Sequence, residues 1–123
     1  MKTTLPTDCG NAPRIGIVAD VVTNWAKGDA EALAEWLTDD ATWTLVGTTE
    51  HNGEDAALHV CPSDAATHLE VTSIITHGRL ASCDGFLDTE KGRIGFSHAF
   101  RFASTSKTAK IKDVRSYCID VPR

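Results

Sequence analysis

From Arg14 to Lys27 the apolar residues Ile15, Val18, Val22 and Trp25 recur at the spacing of one helix face. Gly28 follows as a natural stop, and Asp29 is placed to cap a second helix running from Ala30 to about Thr38. That helix would bury Leu33, Trp36 and Leu37 and turn Glu31 and Glu35 to solvent. Asp39 and Asp40 close it, and Ala41–Val46, rich in Thr, Trp and Val, predicts a strand with Trp43 and Leu45 inward. Gly47–Gly53 reads as a loop, and Glu54–Cys61 as a short third helix stopped by Pro62. Beyond Ser63-Asp64 the period changes to alternation. Strands are predicted over 68–77, 80–87, 94–102 and 109–119, with turns at Gly78, at Glu90-Lys91-Gly92 and over Ser104–Lys107. The predicted order is α-α-β-α-β-β-β-β, an α+β domain over residues 13–123 behind a flexible lead-in at 1–12.

Composition narrows the class. The 123 residues are 41% hydrophobic and 24% charged, which suits one globular domain. The longest run free of polar side chains, Ile15–Ala19, is far too short to span a membrane. Residues 1–13 lack the apolar stretch of a secretory signal, so a cytoplasmic location is expected. The net charge of −5 is unevenly spread: residues 1–90 carry 4 basic and 15 acidic groups, residues 91–123 carry 8 and 2. So large an acidic portion would repel phosphate, which argues against a nucleic-acid partner. Cys9, Cys61, Cys83 and Cys118 form no C-x-x-C pair, so no metal is expected, and the last three read as small buried hydrophobes. His59 and Cys61 offer two ligand types without a third nearby. No glycine pattern cradles a phosphate, so no cofactor is expected either.

The element order, with Trp25-Ala26-Lys27-Gly28-Asp29, then Leu37-Thr38-Asp39-Asp40-Ala41-Thr42-Trp43 and Gly53, resembles the NTF2-like superfamily. More narrowly it is similar to the SnoaL-like polyketide cyclase and ketosteroid isomerase group, over residues 13–120. The closing stretch Ala109-Lys110-Ile111-Lys112, with Ser116-Tyr117, adds to the likeness. The resemblance implies an NTF2-like cone, with three helices packed in a curved antiparallel sheet around an apolar pocket, and dimers through the outer sheet face. It also carries a check on chemistry. The positions that match the steroid-isomerase base and tyrosine donor are Leu45 and Val21, both apolar, so that activity is excluded.

Strand parity supplies another candidate centre. His98 shares its face with Ile94, Phe96, Phe100 and Phe102. On the next strand Ile111, Asp113, Arg115, Tyr117 and Ile119 form one set. A register pairing Phe100 with Ile111 would set His98 opposite Asp113, with Arg115 one pair further along. In that arrangement His98 carries a proton, Asp113 fixes its tautomer and Arg115 stabilises an oxyanion. Trp43, Leu45, Phe96, Phe100, Ile111 and Tyr117 would enclose the ligand. His51 and His77 read as loop or rim residues, and Asp84-Gly85 as a bulge. The functional expectation is a domain that binds a small hydrophobic metabolite and acts as a cofactor-independent isomerase, dehydratase or cyclase through His98. The alternative is a dimeric binding or protein-association module without chemistry. The outer face expected to make the dimer combines Arg101, Lys110, Lys112 and Ser116 with Ala99, Ala103, Val114 and Cys118.

Overall fold

The expected lead-in contributes a short strand, β1 (Lys2–Thr4), before the first helix begins. The computed structural model describes residues 1–122. α1 (Pro13–Lys27) opens on a proline, whose fixed φ suits a first helical turn. It ends at Gly28, whose φ of 74° is a left-handed conformation that a side chain would strain. Val18, Val21, Val22 and Trp25 are its buried stripe. Asp29 caps α2 (Ala30–Ala34), its carboxylate accepting from the Ala32 N–H at 3.1 Å.

α2 is shorter than its apolar spacing predicts. β2 (Leu37–Leu45) draws Leu37–Asp40 into the sheet, because Leu37 pairs with Ile111 and the Ile111 N–H donates to the Trp36 carbonyl at 2.8 Å. Tertiary pairing overrides local periodicity here. The expected loop contains β3 (Thr49–Asn52), antiparallel to β2. A 3₁₀ turn over Gly53–Asp55 leads into α3 (Ala56–Val60), which buries Ala56, Ala57 and Val60 and ends before Pro62. The meander follows as β4 (Ala66–His77), β5 (Leu80–Thr89), β6 (Gly92–Phe102) and β7 (Ile111–Val121). The architecture is thus mixed α+β, as expected, with β1 and β3 added to the expected order. None of the helices among the described residues is long and apolar enough to cross a membrane.

All seven strands join one curved sheet in the order β1-β4-β5-β6-β7-β2-β3. β1 runs parallel to β4, β2 runs parallel to β7, and the other pairs are antiparallel. The helices cover one face of it. Two bulges decide which side chains reach that face. In β4, Val71 pairs with Gly85 and Ser73 with Asp84, so Thr72 is an extra residue. The bulge therefore lies on β4, and Gly85 sits opposite it, where a Cβ would overlap the Glu70 backbone. In β7, Ile111 pairs with Phe102 and Asp113 with Arg101, so Lys112 is the extra residue. Beyond each bulge the parity inverts. Ile74 replaces Ser73 and Ile75 as the inward residue of β4, and His77 is exposed.

Arg14, on the first turn of α1, is buried although it carries a charge. Its guanidinium donates to the carbonyls of Gly78, Ser104 and Ser106, and lies 4.1 Å over the Phe102 ring. One side chain thus fastens the helix to the β4–β5 turn and to the β6–β7 loop. Replacing it with methionine keeps the apolar stem but leaves three carbonyls short of a donor. Arg14→Met should lower unfolding stability by about 3 kcal/mol, read from urea denaturation midpoints at unchanged m-value.

Candidate functional site

His98 points inward from the middle of β6, as its parity predicts, and is only 1% exposed. Phe96 and Phe100 flank it on its own strand, with ring centroids 5.1 and 5.9 Å away. Trp25 of α1 stands at 83° to the imidazole with centroids 4.3 Å apart, and Trp43 of β2 lies beyond at 6.2 Å. The residue opposite His98 is Ser116, not Asp113. Its Oγ lies 2.7 Å from His98 Nδ1 and accepts the Trp43 indole N–H, also at 2.7 Å. His98 Nε2 is buried without a hydrogen-bond partner. Burial alone lowers the imidazole pKa to about 3, so His98 is neutral at physiological pH.

The Lys112 bulge takes the expected triad apart. Past it, Val114 and Ser116 turn inward, while Asp113, Arg115 and Tyr117 turn to the outer face beside Arg101, Ala99 and Ser97. Asp113 and Arg115 therefore do not converge on His98, and Tyr117, 47% exposed, does not line an interior pocket. The same inversion removes Val114, Ser116 and Cys118 from the expected dimer face. Trp43, Phe96, Phe100 and Ile111 do lie in the core, but none of the four lines the cavity next to Leu45. Leu45 lines a cavity, and Val21 is fully buried in α1.

That cavity, about 250 Å³, opens between α3 and the inner face of the sheet. Its floor is made by the buried residues Trp25, Val60, Leu87 and Ser116. Leu45, Cys61, Pro62 and Ile94 form the half-buried walls, and Thr48, Ser63 and Cys118 stand at the exposed mouth. Most donors around it are already committed. The Trp25 indole donates to the Val60 carbonyl at 2.8 Å, Thr48 to Leu45 at 3.0 Å, and Cys61 to Ala57 at 3.5 Å. Burial, aided by Asp29, pushes the Cys61 thiol above its usual pKa, and partial enclosure does the same to Cys118. His98 is not part of the lining; it lies behind Ser116.

The parity of β7 hid Ser116 from strand alternation counted from Ile111. A signal for it is present: Ile111 and Val114 are apolar residues three apart in a strand, the mark of an inserted residue. Val71 and Ile74 show the same mark in β4. Three of the four histidines outside the core have local partners. His51 stacks on His59 with centroids 5.0 Å apart, and His68 lies 3.1 Å from the Thr4 hydroxyl. Among the described residues no group of three or more His, Cys, Asp or Glu side chains is arranged to hold a metal.

Neither a protein-family model nor a curated protein sequence matches the chain. Solved structures do. An NTF-2 like protein of unknown function from Burkholderia xenovorans superposes with a TM-score of 0.73 at 17% identity, over 90% of this chain and 86% of that one. The chain has the NTF2-like fold. A candidate ketosteroid isomerase from Kribbella flavida aligns at a TM-score of 0.69 and 14% identity, over 88% and 78% of the two chains. A candidate SnoaL-like polyketide cyclase from Shewanella denitrificans gives 0.65 and 10%, over 85% and 88%. Identities this low speak for the NTF2-like architecture, and activity must be argued from the cavity itself.

The buried imidazole makes a pH prediction. An unfolded histidine titrates near 6.5, whereas His98 in the fold stays neutral down to about 3. Between those values the unfolded chain binds the extra proton, so stability falls as the pH drops through this window. His98→Phe should lack this contribution, which approaches about 1.4 kcal/mol per pH unit. Urea unfolding of both proteins at pH 7, 6, 5 and 4 checks it: their stability difference should change steadily in the direction that disfavours the native histidine.

Proposed function

We propose that the protein binds one small, mostly apolar molecule in the cavity between α3 and the sheet. The observation that carries this reading is the make-up of the lining: a buried apolar floor broken by a single serine, under a mouth open to solvent. A space of about 250 Å³ suits a molecule near the size of one ring. Among the described lining residues there is no carboxylate, imidazole or amine, and the thiols of Cys61 and Cys118 are held above their usual pKa. This favours binding over proton transfer at neutral pH. Catalysis by His98 has weaker support, since its Nε2 is enclosed, its Nδ1 faces Ser116, and burial strips it of basicity.

Toluene is a suitable probe. At saturation it should raise the melting temperature of the native protein, and at a hundred times its Kd by the equivalent of about 2.7 kcal/mol. Cys118→Trp, which places an indole at the exposed mouth, should melt like the native protein alone and lose the response to toluene. A native protein that toluene and other ring-sized apolar molecules leave unmoved would remove the reading.

The same reading includes a two-fold homodimer through the outer sheet face. Supporting it, Tyr117 and Ile119 on β7 and Ile75 on β4 stand 47%, 68% and 63% exposed on that face. Light scattering at micromolar concentration should give twice the chain mass, and Ile119→Asp should return it to the monomer value.

A further inference from the structure

Ser116 Oγ sits 2.7 Å from two nitrogens, and the direction of each hydrogen bond can be worked out. An indole N–H only donates, so Trp43 fills one lone pair of the serine oxygen. His98 Nδ1 then either receives the serine proton or sends its own. If Nδ1 carried the proton, two N–H groups would point at one oxygen. Nε2 would then bury a bare lone pair that no donor reaches. If Nε2 carries it, the serine hydroxyl donates to Nδ1, and the ring that bears the buried Nε2–H is packed among Trp25, Phe96 and Phe100, with centroids 4.3, 5.1 and 5.9 Å away. An aromatic face attracts an N–H and repels a lone pair. The second arrangement leaves each group in its better state: indole to hydroxyl, hydroxyl to imidazole, and an N–H instead of a bare lone pair among the aromatic side chains.

This settles what the serine can offer the cavity. Its proton is committed inward to His98, and one lone pair is taken by Trp43. The remaining lone pair is free. The other side-chain donors of floor and wall, Trp25 and Cys61, are spent on the carbonyls of Val60 and Ala57, and at the mouth Thr48 donates to Leu45. We infer that the cavity floor presents a hydrogen-bond acceptor and no donor, so that the molecule it selects is ring-sized, apolar and bears a hydroxyl or N–H rather than a carbonyl. His98 then has a definite part: it is a positioning residue that holds the serine proton away from the ligand. The inference rests on the cavity being a binding site and adds the polarity of its occupant.

Three probes of matched size separate the possibilities: benzyl alcohol, benzaldehyde and ethylbenzene, titrated calorimetrically into the native protein and Ser116→Ala. Benzyl alcohol should bind the native protein about tenfold tighter than the variant, while the Kd values of benzaldehyde and ethylbenzene change less than about twofold. A loss confined to benzaldehyde would reverse the polarity and overturn the inference. Failure of all three probes to bind the native protein would instead overturn the cavity reading itself, and the inference with it. Ser116→Ala leaves Trp43 and His98 unpaired and risks misfolding, so a measurement on the native protein stands beside it. The ¹⁵N shifts of His98 at neutral pH should report a proton on Nε2, and a proton on Nδ1 would overturn the inference whatever the probes do.

Discussion

One inserted residue governs the interior. Lys112 sits unpaired where β7 begins its run beside β6, and every side chain after it faces the side opposite to plain alternation. Without that insertion an aspartate, an arginine and a tyrosine would point at His98 beneath the helices. Burying two charges there would cost several kcal/mol per ion unless they paired closely. With it, Val114 and Ser116 enter instead, and the charges go to water. The bulge is therefore what makes the concave face apolar enough to pack α1, and it delivers Ser116 to His98.

The imidazole at the centre of this face imposes its own constraint. A polar ring among Trp25, Trp43, Phe96 and Phe100 needs at least one partner, and Ser116 supplies it while also satisfying the Trp43 indole. One hydroxyl thus serves two large side chains from different strands. The bridge ties β2, β6 and β7 together, and its serine is part of the cavity floor. On the proposed binding reading, support and recognition share a single oxygen atom.

Much of this was legible from residue order. The α1 stripe, the Gly28 stop, the Asp29 cap and the meander follow from spacing and turn chemistry, and the NTF2-like likeness follows from the Trp25–Gly53 pattern. Three features escaped for physical reasons. β2 claims Leu37–Asp40 because Ile111 offers a partner from far along the chain, which no local period records. β1 has only three residues and gains its identity from the β4 edge. The site was lost by one place: alternation counted from Ile111 puts Asp113 inward, and only the three-residue step from Ile111 to Val114 betrays the insertion. The inward placement of His98, Trp43 and Leu45 was readable because β6 and the end of β2 carry no such break.

Arg14 has a property that an ordinary ion pair lacks. Its guanidinium is anchored by main-chain carbonyls from two turns and by the face of Phe102, with no carboxylate among the described residues paired to it. A carboxylate partner would be neutralised in acid and weakened by dissolved salt. Carbonyl dipoles do neither, and a guanidinium keeps its charge wherever proteins fold. The end of the molecule where α1 begins is consequently held by a fastening indifferent to acidity and nearly so to ionic strength.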